Sequence, residues 1–107
     1  MKVHTEAVQF KADAKLRRYV EYKLSKLEHF FGRIIDAQVI LKLENNGQVK
    51  DKVAEIKLNI PGVSLFSCET KKTFEASVAA GVESIRRQLK RHKARQRRLR
   101  KGLRRAV

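Results

Sequence analysis

With 107 residues and a formal net charge of +15, from 26 Lys and Arg against 11 Asp and Glu, the chain has room for one domain and one small core. A domain of this size hides only about two-thirds of its unfolded surface, so a two-domain enzyme is excluded, and the charge points to a polyanionic partner. The excess is uneven: residues 1–85 hold 14 basic and all 11 acidic side chains, net +3, whereas residues 86–107 hold 12 basic and none acidic, net +12.

The body that carries this block has a globular make-up, with 42% hydrophobic residues, one Pro and five Gly in the whole chain. No apolar run reaches the roughly 18 residues of a membrane span, and MKVHTEAVQF lacks the basic-then-apolar plan of a signal peptide. A cytoplasmic protein that makes no membrane contact is expected. The lone Cys68 cannot close an internal disulfide, in keeping with a reducing compartment, and is expected as a small buried hydrophobe.

In chain order, KVHTEAVQF alternates loosely and reads as a strand. Asp13 is a good N-cap for a helix starting near Ala14. Leu16, Val20, Leu24, Leu27 and Phe31 then recur at spacings of four, four, three and four, one helical face, and Gly32 ends the helix. IIDAQVILKLE follows as a strand with Val39, Leu41 and Leu43 on one side and Gln38 and Lys42 on the other. Asn45-Asn46-Gly47 is a turn signal. KVAEIKLNI sets Ala54, Ile56, Leu58 and Ile60 against Glu55, Lys57 and Asn59, and pairs antiparallel with its predecessor. Pro61-Gly62 makes a second turn, VSLFSCE a fourth strand, and Thr70 or Thr73 caps the last helix. Phe74, Val78, Val82, Ile85 and Leu89 form that helix's buried stripe, which decays into His92, Gln96, Leu99 and Leu103. Up to Lys101 the helix would measure roughly 42 Å at about 1.5 Å per residue, so its far end overhangs the core. Gly81, which costs about 1 kcal/mol against Ala in mid-helix, allows close packing.

The predicted fold is two-layer α+β, β-α-β-β-β-α: one four-stranded sheet with two helices packed on one face. The first two strands flank a helix, as parallel neighbours joined by a crossover would. Residues 1–95 form the domain and 96–107 a basic extension of the last helix.

Catalysis has no sequence support. His4, His29 and His92 are scattered, with no H-E-x-x-H and no Cys pair, and nucleophile-elbow and phosphate-loop motifs are absent. Glu28 beside His29 reads as a solvated pair rather than an acid-base couple. No metal, cofactor or small-molecule substrate is expected. The positive face is the strong signal: Arg17, Arg18, Lys23 and Lys26 flank the first helix's stripe, and Arg86, Arg87, Lys90, Arg91, Lys93 and Arg95 flank the second. With the helices side by side these make one surface whose self-repulsion phosphates would relieve. A solvated face kept for solubility accounts for mixed-sign surfaces, but not for a block without an acid. The outer sheet face, read from Gln38, Lys42, Glu55, Lys57 and Asn59, is polar and lacks a stacking platform; Phe10, Phe30, Phe31 and Phe74 suit the core. Only Tyr19 and Tyr22 read as partly exposed rings. Recognition through backbone and shape follows, as for folded RNA.

KLRRYVEYKLSKLEHFFGRI, VILKLE, VAEIKLNIPG and ESIRRQLKRHKAR together resemble the ribosome hibernation promoting factor family, also called ribosome-associated inhibitor or protein Y, over about residues 1–97. The resemblance implies a β-α-β-β-β-α fold similar in shape to a double-stranded RNA-binding domain. It also implies a monomer when free that binds 16S rRNA of the 30S subunit and 70S ribosome and overlaps the mRNA and tRNA sites in starved or stationary cells. By motif match it assigns rRNA contacts to Lys23 and Lys26 in KLSKLE and to Arg86, Arg87, Lys90, Arg91, Lys93 and Arg95. The length matches the family's short form, without the C-terminal domain that pairs two ribosomes. The chain departs from the family at KKTFEASV, where Lys72 and Val78 take positions that many members fill with acids, and in its Arg-rich ending.

Two alternatives use the same residues. ETKKTFEASVAAGVESI resembles the second helix of a true double-stranded RNA-binding domain, although the leading strand and a turn without that domain's Pro-His loop do not fit it. Ile85, Leu89, Leu99 and Leu103 lie near a heptad seam, as in a protein-interaction module, but His92 and Gln96 interrupt it and the cations would repel across a homodimer.

Overall fold

Two-residue alternation in the middle of the chain and 3.6-residue periodicity on either side generate the architecture. A computed structural model describes residues 1–46 and 49–106. Its elements are β1 (Lys2–Val8), α1 (Ala14–Phe30), β2 (Asp36–Asn46), β3 (Val49–Ile60), β4 (Val63–Lys71) and α2 (Phe74–Ala106). The four strands form one sheet in the order β1-β2-β3-β4, with β1 parallel to β2 and the other pairs antiparallel. This is the expected β-α-β-β-β-α arrangement.

Register places the apolar set on a single face. Ala37, Val39 and Leu41 lie opposite Leu58, Ile56 and Ala54, and all six are fully buried. On this face the stripes Leu16-Val20-Leu24-Leu27 of α1 and Val78-Val82-Ile85-Leu89 of α2 complete one core. Each fully buried Leu, Ile or Val contributes about 1.5–3 kcal/mol. Ile85 and Leu89 lie inside this core, so they are not free to form an intermolecular seam. Leu99 beyond them is exposed, and the Leu103 side chain lies outside the described residues.

The helix starts follow the sequence. The Asp13 carboxylate accepts from the Leu16 amide at 2.7 Å, and Thr73, rather than Thr70, caps α2 by accepting from the Ala76 amide at 3.1 Å. α1 stops at Phe30, one residue before an extended Phe31 cap and two before Gly32. Gly62 takes φ +86 in the β3–β4 turn, a left-handed value that suits Gly after Pro. Of the Asn45-Asn46-Gly47 turn, Asn46 pairs with Val49 and Gly47 lies outside the described residues. Gly81 lets α2 settle onto the sheet: a Cβ there would stand 2.8 Å from Ile56 Cδ1 and 3.1 Å from Ser67 Oγ. Buried Ser77 ties the same helix down, its hydroxyl 2.6 Å from the Lys52 carbonyl and 3.0 Å from the Lys71 amide. Phe10 and Phe74 stack at 4.7 Å between centroids.

Two expectations need correction. Cys68 is exposed, not buried. Its neighbour Ser67 faces inward beneath Gly81, and strand alternation therefore turns Cys68 to the outer sheet face opposite Glu55. By the same alternation Phe66, opposite Lys57, stands on that face with 54% of its surface exposed. The outer face thus carries one aromatic ring, still short of a stacking platform. Among the described residues no helix is long and apolar enough to cross a membrane.

At 33 residues α2 is about twice as long as the 17-residue α1. Among the described side chains its last buried residue is Leu89, and from Ala94 to Gly102 every residue is exposed. The overhang gives the molecule a long axis of 61 Å against 27 and 17 Å across.

Candidate nucleic-acid interface

Both helices pack on the same sheet face, so their flanks meet and form a groove. Lys23, Lys26 and His29 line it from α1, Glu83 and Arg86 from α2, and Phe30 closes its end. The cations are held by aromatic faces. Lys23 Nζ lies 5.8 Å from the Tyr19 centroid, Lys26 Nζ 4.7 Å from Tyr22, and the Arg86 guanidinium carbon 5.4 Å from Phe30. Such contacts contribute about 0.5–1 kcal/mol at exposed sites and leave the polar atoms facing water. Arg86 reaches Glu83 only at 4.0 Å, with both side chains more than half exposed, so this pair ties up little of its charge.

The remaining residues singled out in the sequence are spread over other faces. Arg17 turns towards β1, where Nη1 donates to the Thr5 carbonyl at 3.2 Å and Nε to the Ala12 carbonyl at 3.4 Å. Arg18 is exposed. Arg87 and Lys90 line an open surface of α2 together with Arg91. Arg91 and Arg95 also face Val63 and Leu65 of β4. Lys93 is half-buried: its ammonium donates to the Phe30 carbonyl at 2.6 Å and lies 4.4 Å from the Phe30 ring. One groove therefore gathers Lys23, Lys26 and Arg86, α2 is basic on three sides, and Lys93 is engaged in joining the helices.

Sequence spacing pointed to no role for Arg33, which sits in the α1–β2 connection. The structure brings it to a second concavity with Arg97 and Arg100 of α2, a juxtaposition no local pattern announces. Among the described residues no group of three or more His, Cys, Asp or Glu could hold a metal ion.

The family described as Sigma 54 modulation protein / S30EA ribosomal protein matches residues 3–97. The chain belongs to this family, that of the ribosome hibernation promoting factors. A ribosome hibernation promoting factor of Pseudomonas putida is 33% identical over 102 residues, which cover 95% of this chain and 96% of the relative. One from Azotobacter vinelandii is 32% identical over 96 residues, or 90% of this chain and 86% of the relative. Both hibernation factors are thus matched over most of their length. Among solved structures, the N-terminal domain of Thermus thermophilus Protein Y superposes with a TM-score of 0.76 at 25% identity, covering 86% of this chain and 99% of that domain. That domain therefore shares the two-helix, one-sheet fold of this chain.

Proposed function

We propose that the protein is a ribosome-associated hibernation factor. In this reading it binds 16S rRNA of the small subunit, in the free 30S particle and in the 70S ribosome. It keeps mRNA and tRNA from their sites in stationary or stressed cells. The observation that carries the reading is the groove in which Lys23, Lys26 and Arg86 converge, continued by an α2 overhang that has no acidic residue after Glu83.

The mechanism is occlusion, and no bond is made or broken. Two helices held by one core form a rigid wedge. Phosphates of folded rRNA replace the counterions around Lys23, Lys26, Arg86, Arg87, Lys90, Arg91 and Arg95, and their release favours binding. Arg18 adds charge at the near end of α1, while Arg17 and Lys93 contribute charge from side chains already bound to main-chain carbonyls. Base-edge readout has little to work with on this surface, so the register on the ribosome comes from backbone positions and rRNA shape. Residues 1–95 act as the ribosome-binding body and 96–107 as a basic arm. The chain acts as a cytoplasmic monomer.

Sedimentation of a lysate containing the tagged protein, at low and moderate salt, tests the reading. Expected is recovery in the 30S and 70S fractions; absence from both fractions at both salt concentrations rejects it. Equal affinity for arbitrary duplex RNA and for the small subunit would favour a general double-stranded RNA-binding protein instead.

A further inference from the structure

A second concavity lies where the α2 overhang leaves the core, lined by Lys93, which also contacts the Phe30 ring of the groove. Phe31 and Pro61 give it apolar surface, and Arg33, Arg97 and Arg100 supply three guanidinium groups from two separate segments. Among the described residues no acidic side chain lines it. This distinguishes it from the α1–α2 groove, where Glu83 offsets part of the charge. Three guanidinium groups facing one notch repel one another, and an anion bound there would relieve the repulsion. Guanidinium groups also suit phosphate oxygens, which they can engage in bidentate fashion.

The notch is shaped for more than a bare anion. The Phe31 ring meets His92 edge-on at 6.1 Å, with 73° between planes. It is therefore braced on one side by the imidazole, while Pro61 of the β3–β4 turn stands in the same concavity. A volume of about 270 Å³ falls just below the ~300–1,000 Å³ usual for small-molecule and cofactor sites, a size that suits a single nucleotide unit. The notch also adjoins the groove: Lys93 Nζ lies within 4.4 Å of the Phe30 ring and 5.6 Å of the Phe31 ring. Arg86 and Arg97 are eleven residues apart on one helix, about 16 Å at about 1.5 Å per residue, so one chain of phosphates can run past both.

We propose that this notch is a nucleotide-binding site for an unpaired RNA residue, whose phosphate sits among Arg33, Arg97 and Arg100 and whose base packs on Phe31 and Pro61. The occupant rests on the rRNA-binding reading above; the notch as an anion site rests on its own charge. It makes the start of the overhang a specific contact rather than a diffuse positive tail.

The test uses the full chain labelled with ¹⁵N and ¹³C, titrated with a five-nucleotide single-stranded RNA, with uridine monophosphate and with inorganic phosphate. Expected are saturable shifts of the Phe31 and His92 ring signals and of the Arg33, Arg97 and Arg100 side-chain signals. The RNA should bind at least tenfold tighter than inorganic phosphate, and the monophosphate should fall between them. In the R33Q/R97Q/R100Q variant, with an unchanged circular dichroism spectrum, those shifts should vanish and 30S affinity should fall at least fivefold. Shifts confined to Lys23, Lys26 and Arg86, or equal affinity for RNA and phosphate, would overturn the nucleotide site. Unchanged 30S affinity in the variant would overturn its use on the ribosome while leaving the hibernation reading intact. If the wild-type chain fails to sediment with ribosomes, that reading falls and the oligonucleotide titration alone decides the notch.

Discussion

The Lys93 ammonium stands 2.6 Å from the Phe30 carbonyl oxygen, so the long helix closes the exposed C-terminal end of the short one. The last carbonyls of a helix have no partner within it and carry its partial negative charge. A lysine from α2 answers both needs and sets the distance between the two basic surfaces. Charged hydrogen bonds of this kind contribute about 1.5–3 kcal/mol. Lys93→Met should therefore lower stability by about 1–3 kcal/mol, read as a lower urea midpoint at unchanged slope. An unchanged midpoint would mean that the contact is incidental.

The groove makes a prediction about salt. Replacing Lys23, Lys26 and Arg86 with Gln should weaken 30S binding and flatten the dependence of log affinity on log salt concentration, by roughly 0.7–0.9 for each phosphate that is no longer neutralised. The unfolding midpoint should move little, because all three are surface side chains held mainly by ring faces. Weaker binding with an intact salt slope would show that these cations do not meet phosphates.

Ser77 is fully buried, and its hydroxyl serves both the Lys52 carbonyl and the Lys71 amide across two strands. Ser77→Ala deprives these partly buried main-chain groups of that partner and leaves a small void at a fully buried site, a change that costs about 1–2 kcal/mol. Urea denaturation should show the lower stability, and amide hydrogen exchange at Lys71 should accelerate more than exchange at the centre of β2. Uniform protection in the variant would contradict this account.

At Gly81 the helix lies close to the sheet, and two effects oppose each other. Alanine gains about 1 kcal/mol of helix propensity, but its Cβ would press on Ile56 Cδ1 at 2.8 Å, and overpacking costs typically ~1–3 kcal/mol. Ile56 is itself fully buried and has little room to yield. Gly81→Ala should be destabilising by about 1 kcal/mol, and Gly81→Val by more. A stabilised Ala variant would show that the helix can ride up at no cost.

Chemistry that runs along the chain was legible. Asp13 and Thr73 cap helices because their oxygens reach amides three residues on, a relation contained within one turn. The stripes, read as far as Phe31 in α1 where the structure carries it to Leu27 and as far as Leu89 in α2, the alternation of Val39 to Leu41 and Ala54 to Ile60, and the division of charge at Arg86 are all periodicities or sums along the chain. From these followed the element order, the single core and the overhang, together with the expectation of a polyanionic partner. Cys68 was misjudged because residue type argued for burial, and the exposed ring of Phe66 went unread, whereas the register set by the Pro61–Gly62 turn and the space that Gly81 leaves over Ser67 send both outward. What tertiary structure alone decided is which cations share a surface. Lys93 meets a carbonyl 63 residues away, Arg17 turns to β1, and Arg33 joins Arg97 and Arg100 across the molecule. Such meetings depend on how two helices and a turn pack in space, and a pattern that repeats every two or 3.6 residues carries no information about them.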